Sequence, residues 1–237
     1  MENSKTPHSV ATTTAEQRAP ILAAVNLTGE RGGRTLFSRL HFELRPGQVV
    51  WLRGRNGRGK TSLLRLMAGL ATPAAGAVHC DGVPLQRADP VWRERLLFIA
   101  HANALKEDLT VSESLRFLSQ IQGRDSSAGP LRDALARLGV EALAARPVRT
   151  LSQGQRRRVA LSRLALPQPP SVWLLDEPFD ALDDDGVQRL NGLLSAHAAA
   201  GGSTLLTSHQ SVRLADPVPS ELDLDAAPAQ REGAPAA

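Results

Sequence analysis

The sequence predicts an α/β fold: a core in which a glycine-rich loop joins a strand to a helix, an antiparallel β subdomain beside it, and a helical insert before the core resumes. Three observations carry this expectation. Residues 54–61 read Gly54, Arg55, Asn56, Gly57, Arg58, Gly59, Lys60 and Thr61, which is G-x-x-x-x-G-K-[ST] in full. Two later apolar runs end in polar residues, one in Asp176 and Glu177, the other in Ser208 and His209. Between these and the loop, apolar residues recur at helical spacing.

The elements follow in order. Residues 21–50 and 76–86 are short apolar runs broken at Arg31 to Gly33, at Pro46 and Gly47, and at Asp81 and Gly82, the pattern of antiparallel strands with turns. Gln48, Val49, Val50, Trp51 and Leu52 make a strand before the loop, and Leu63, Leu64, Leu66, Met67 and Leu70 mark one face of a helix after it. In that order a glycine loop binds nucleotide phosphates. Its glycines let backbone N–H groups converge on phosphate oxygens, the helix N-terminus adds partial positive charge, and Lys60 reaches the terminal phosphates. Thr61 offers the hydroxyl that ligates Mg²⁺, and Ser62 is counted with the loop as nucleotide-binding. The core is therefore expected to be a P-loop NTPase.

Residues 110–150 are expected to be helical. Val111, Leu115, Leu118 and Ile121 form one apolar face and Leu131, Leu135 and Leu138 another, with a Gly- and Ser-containing break at 123–130. Leu151, Ser152, Gln153, Gly154 and Gln155 then precede Arg156, Arg157, Arg158 and a further apolar series ending at Pro167. Ser152 or Gly154 suits a helix cap there. Three arginines in a first turn oppose the helix dipole, which favours carboxylates at that end. An anion bound there would explain them; the alternative is a solvated basic face whose long stems cover apolar surface.

Asp176 and Glu177 stand at the C-terminal edge of a strand, where ligands collect in parallel α/β sheets, and consecutive side chains there point in different directions. One can serve a metal and the other a water. His209 ends the next strand, at a position where it would face the same phosphate.

Together these motifs resemble the ATP-binding-cassette (ABC) ATPases, over about residues 21–212, with residues 151–155 corresponding to the family signature LSGGQ and Gln153 replacing its first glycine. The resemblance implies that ATP is bound with Mg²⁺ held by Thr61 and Asp176, that Glu177 polarises the attacking water, and that His209 touches the γ-phosphate. Asp180, Ala181, Leu182 and Asp183 match the D-loop that crosses a dimer interface. The resemblance also implies a head-to-tail homodimer in which Ser152 and Gly154 of one chain face the nucleotide held by Lys60 of the other. That nucleotide is then the anion expected at the arginine-rich helix start. Separate integral membrane subunits are implied as further partners, docking near residues 101–110. Within the family the chain resembles ATPase subunits of haem exporters serving cytochrome c maturation, in residues 34–38, 105–117, 155–164, 178–181 and 207–210. An ATPase of another small exporter, for lipids or drugs, is the runner-up.

Two positions depart from the family pattern. The chain has no tyrosine to stack on adenine, and the corresponding stretch offers Arg31 and Arg34, whose guanidinium groups can lie over a flat base. After the strand 96–99, where the family usually carries a glutamine that contacts Mg²⁺, the chain reads Ala100, His101, Ala102, Asn103.

The 237 residues suit one such domain, with residues 1–20 and 213–237 expected to be flexible tails. No apolar run approaches membrane-spanning length and no signal-peptide pattern opens the chain, the pattern expected of a cytosolic chain; the resemblance then implies a peripheral place on the cytoplasmic face of a bacterial inner membrane. A single cysteine, Cys80, excludes an internal disulfide. The net charge of +4 raises the question of DNA or ribosome binding. Aromatics at 3% are too few for base-stacking platforms, and a basic surface equally suits an anionic membrane leaflet, so no nucleic acid is expected as a partner.

Overall fold

Alternating apolar residues near the start of the chain resolve into an antiparallel sheet. The computed structural model describes residues 19–88, 91–167 and 171–226. Strands β1 (Leu22–Arg31) and β2 (Arg34–Leu44) form a hairpin turned by Gly32 and Gly33, both at positive φ (60° and 75°), where a side chain would be strained. With β4 (Ala75–Cys80) and β5 (Val83–Pro84) they make a sheet of order β2-β1-β4-β5. Its inner face carries Leu22, Leu27, Phe37, Leu44, Val78 and Cys80, all buried.

The second sheet is parallel, of order β6-β7-β8-β3-β9, built from β3 (Val49–Arg53), β6 (Leu96–Ile99), β7 (Val172–Leu175), β8 (Ser203–Thr207) and β9 (Ser220–Asp223). Every residue of β7 and β8 is buried, as expected of strands covered on both faces. One apolar cluster joins this sheet through Val50, Leu52, Leu174 and Leu205 to helix α1 (Lys60–Met67) and the antiparallel sheet. The other joins it through Ile99, Trp173, Leu175 and Leu206 to α3 (Val111–Ile121), α4 (Ala128–Arg137), α5 (Gln153–Leu161) and α6 (Asp184–Ala199). A single turn, α2 (Val91–Glu94), precedes β6. Parallel register sets Leu52 beside Thr207, and Leu175 beside Leu206 and Ile99, so the loops leaving β3, β6, β7 and β8 share one edge.

Several expectations are corrected. The apolar series after the phosphate loop stops at Met67, because Gly69 turns the chain at φ 69°, and Leu70 is left 63% exposed. In α3, Val111 and Leu115 are buried but Ile121 is 66% exposed at the helix end, while Ser119 takes an inward place with its hydroxyl donated to Leu115 O. Between the helices, residues 138–152 contain only short 3₁₀ turns, Glu141–Leu143 and Val148–Thr150. The expected C-terminal tail is folded as far as residue 226: β9 adds an edge strand beside β3, its main-chain hydrogen bonds and the burial of Leu224 offsetting a polar composition. Residues 1–18 and 227–237, on which the rest of the tail expectations fall, lie outside the described residues.

One buried group gives the fold a pH dependence. His197 on α6 stacks on Trp173 of β7 with ring centroids 3.6 Å apart, and its Nε2 lies 3.0 Å from Ser171 O. A Cβ at Gly202 would come within 2.1 Å of the ring, so only glycine leaves room for it. Burial lowers the His197 pKa from 6.5 to about 4. The unfolded chain therefore binds a proton that the native protein refuses, and the native state is fully favoured above pH 6.5 and loses ground as pH falls toward about 4. The loss at the acid end is on the order of 3 kcal/mol. Urea unfolding at about pH 7.5 and about pH 4.5 should show that His197→Gln removes most of the acid-dependent drop. An equal drop in both proteins would contradict this account.

Candidate nucleotide site

The sheet edge carries the site. Loop 54–59 leaves β3 with Gly54, Gly57 and Gly59 at φ 142°, 78° and 103°, a backbone that β-carbons would resist. A Cβ at Gly59 would lie 3.0 Å from Leu36, so the loop also sits hard against β2. No side chain caps the first turn of α1, which leaves its N–H groups and the helix dipole directed at the cleft. Lys60 Nζ donates to Gly54 O at 2.7 Å, so its ammonium stays close over the loop.

The cleft, of about 350 Å³, is lined by Arg31, Leu36, Asn56, Gly57, Gly59, Lys60, Thr61, Ser62, His101, Asp176, Glu177, Asp180 and His209. Fragments from five separate stretches of sequence thus meet in one place. Arg31 is on its wall; Arg34 opens instead onto a neighbouring hollow with Arg55 and Arg58. Of the loop, Arg55 and Arg58 turn away from the cleft. Leu151, Ser152, Gln153, Gly154 and Gln155 do not line the cleft of their own chain either.

Hydrogen bonds set the carboxylates. Asp176 Oδ2 accepts from Thr61 Oγ1 at 2.9 Å, and Oδ1 accepts from Thr207 Oγ1 at 2.9 Å. The same Thr207 hydroxyl accepts the Glu177 N–H at 2.7 Å. Thr207 was not singled out as a site residue from sequence; a hydroxyl closing an otherwise apolar strand just before Ser208 and His209 was the available signal. Glu177 holds φ at 50°, a strained value for a carboxylate residue. Its Oε2 accepts the His209 N–H at 3.0 Å and its Oε1 lies 3.6 Å from His209 Nε2. Burial pushes the Glu177 pKa up, and His209 works against that shift. The result is an aligned acceptor, only 8% exposed, beside a histidine that can answer its charge.

The arginine triplet receives a different explanation from the anion expected of it. Arg157 is buried, and its guanidinium donates to Asp176 O (2.9 Å), Glu177 O (2.7 Å), Pro178 O (3.3 Å), Ala100 O (3.1 Å) and Asn103 Oδ1 (3.0 Å). Arg156 reaches Glu107 and Arg149 O, and Arg158 reaches Asp183, Asp185 and Leu138 O. Each side chain leaves the helix start for carbonyls and carboxylates of other segments, which outweigh the local dipole. Ser152 is the N-cap, in a reciprocal capping box with Gln155. Gly154 is required by its own chain: a Cβ there would lie 2.7 Å from Ala181 O. Asp183 caps α6 by accepting the Gly186 N–H at 2.9 Å.

Where a glutamine is missing, Ala102 is exposed and outside the cleft, whereas His101 lines it with Nδ1 3.5 Å from Asp180. An apolar hollow of about 470 Å³ is bounded by Leu66, Leu70, Val78, Trp92, Phe98 and Gln122 and includes none of residues 101–110, where a docking groove was expected.

A family model described as ABC transporter matches residues 37–180, more than half of the chain. The chain belongs to the ABC transporter family. As an ABC ATPase it binds ATP and hydrolyses it. It is 40% identical over 205 residues to the cytochrome c biogenesis ATP-binding export protein CcmA of Cupriavidus pinatubonensis, covering 86% of this chain and 90% of that one. To the CcmA of Aromatoleum aromaticum it is 45% identical over 205 residues, covering 86% and 95%. The fold matches a dimeric post-hydrolysis structure of the ATP-binding cassette MJ0796 bound to ADP and Pi, with TM-score 0.70, 23% identity, and coverage of 80% and 88%. No helix among the described residues is long and apolar enough to cross a membrane.

Proposed function

We propose that this ABC ATPase is the ATP-hydrolysing subunit of an exporter serving cytochrome c biogenesis, powering haem export or release through separate membrane subunits. The observation that carries the catalytic half is the continuous chain Thr61–Asp176–Thr207–Glu177–His209 at the edge of the phosphate loop. The transport half is supported by relatives 40–45% identical over most of the chain, which are cytochrome c biogenesis ATP-binding export proteins.

Lys60 and the loop amides hold and neutralise the β- and γ-phosphates, and Arg31, on the cleft wall, lies over the base. Thr61 and Asp176 present hard oxygen donors 2.9 Å apart, a set that fits Mg²⁺. Bound there with ATP, the ion would supply charge neutralisation across the phosphates. Glu177 orients a water for in-line attack and receives its proton, while His209 steadies the carboxylate and reaches the γ-phosphate. Phosphoryl transfer depends on such positioning and charge more than on covalent help.

In this reading two copies pair head to tail, because Ser152 and Gly154 lie away from their own chain's cleft and a solved cassette of the same fold is dimeric. Membrane subunits come from other chains, and the ATPase sits peripherally on the cytoplasmic face of the inner membrane.

The test is to purify the tagged chain carrying Glu177→Gln from mildly solubilised bacterial membranes with ATP present, and to identify its companions by mass spectrometry. Cytochrome c maturation membrane proteins are expected. A different permease would transfer the function to that transporter, and ribosomal or DNA-bound companions would overturn the membrane reading.

A further inference from the structure

Two arginines of the phosphate loop turn away from the nucleotide cleft, toward a C-terminal segment to which the sequence assigned no role. Beyond β9, Asp225 Oδ2 accepts the Arg55 backbone N–H at 2.9 Å, and its Oδ1 lies 3.3 Å from both Arg55 Nε and Arg58 Nε. Arg58 also donates to Leu224 O at 3.2 Å and to Leu36 O of β2 at 2.7 Å. The adjoining Leu224 is fully buried, with its Cβ 3.3 Å from where a Cβ on Gly54 would stand. One guanidinium therefore ties the phosphate loop to β2 on one side and to the C-terminal strand on the other. The Arg55 N–H lowers the Asp225 pKa, followed by the Arg55 side chain, so the carboxylate stays charged through the working range.

We propose that Asp225 and Arg58 form a clip that holds the phosphate loop, from behind, in its nucleotide-binding shape, making Asp225 a positioning residue for ATP. The loop needs such a hold: three glycines at positive φ leave it many conformations, and ordering them only when ATP arrives would be subtracted from affinity. β9 is an edge strand, paired on one side to β3, the strand that feeds the loop, so the clip also joins loop geometry to the docking of the C-terminal segment.

The clip has an experimental sign. A carboxylate near bound phosphates repels them, so deleting it as a mere charge would tighten ATP binding; deleting it as a clip weakens binding. The proposal rests on residues 54–61 holding the nucleotide phosphates, and Lys60→Ala is included to test that separately. Binding of a fluorescent ATP analogue and steady-state ATPase rates are measured on the full-length chain. Asp225→Ala is expected to weaken binding of ATP and ADP alike by about tenfold, the scale of one charge-assisted hydrogen bond, with kcat at saturation changed less than about threefold. Arg58→Met should do the same, and the double variant should be no worse than either single one, since both remove one device. Asp225→Asn keeps an acceptor for the Arg55 N–H and should fall between native and Asp225→Ala; it also serves if the alanine variant folds poorly. Unchanged or tighter binding in Asp225→Asn or Asp225→Ala, or additive losses in the double variant, would overturn the clip. Native-like binding by Lys60→Ala would overturn the loop assignment and the clip with it.

Discussion

Glu177→Gln is expected to bind ATP as the native protein does while turning it over at least about a hundredfold more slowly, the usual scale for removing a general base. The substitution keeps the shape of the side chain and leaves an amide oxygen to accept the His209 N–H that Glu177 Oε2 now accepts at 3.0 Å. Asp176, the Thr61 hydroxyl and Lys60 are untouched. What disappears is a group able to take the proton of the attacking water, so the variant should accumulate with ATP bound. Phosphate release measured beside nucleotide binding separates the two effects, and ordinary turnover in the variant would remove Glu177 from this role.

The native enzyme should carry a matching pH signature. Burial raises the Glu177 pKa, so the base is lost to protonation at a higher pH than an exposed glutamate would be, and the acid limb of the rate profile lies correspondingly toward neutral. His209 limits that displacement by favouring the charged carboxylate. In Glu177→Gln this limb should be absent from whatever activity persists.

Arg157→Met is expected to be the most destabilising single substitution outside the apolar core, by about 3–5 kcal/mol. The methionine would fill part of the volume but donate nothing, leaving Asp176 O, Pro178 O and Ala100 O without the donor they share and Glu177 O with the Asp180 N–H alone. Each unsatisfied carbonyl costs about 1 kcal/mol or more, and these are clustered where backbone carries Glu177 at positive φ. Arg157→Lys should rescue little, since an ammonium offers three donors from one point in place of a planar fork. Urea unfolding gives the stability change; a variant within about 1 kcal/mol of native would mean that these carbonyls do not depend on the guanidinium.

How much of this was legible in sequence depended on the range of the interaction. The phosphate loop is read from eight consecutive residues because its function is local: backbone N–H groups, a helix start and one lysine lie in a single turn of chain. Asp176, Glu177 and His209 were legible for a related reason, as polar residues ending apolar strands, and strand ends in a parallel sheet share an edge. The apolar faces of α3 and α4 were mostly recovered, whereas Leu70 and Ile121 were placed inside because periodicity does not show where a helix stops or which of its ends meets solvent.

The sequence by itself determined the fold class and the family, and it marked the glycine loop and the carboxylate pair that meet at the sheet edge, since each is written in contiguous residues or in hydrophobic period. Only the tertiary structure decided what the three arginines after the signature do, why Gly154 must lack a side chain, that Thr207 links the two carboxylates, and that the C-terminal segment closes against the loop. These depend on side chains and carbonyls far apart in the chain, and their partners are chosen by packing: Arg157 finds carbonyls 54 to 57 and 19 to 21 residues away, and Asp225 finds Arg55 across 170. Local propensity set the arginines against the helix dipole, and long-range hydrogen bonds prevailed, those of Arg157 strengthened by burial and those of Arg156 and Arg158 made in part to carboxylates.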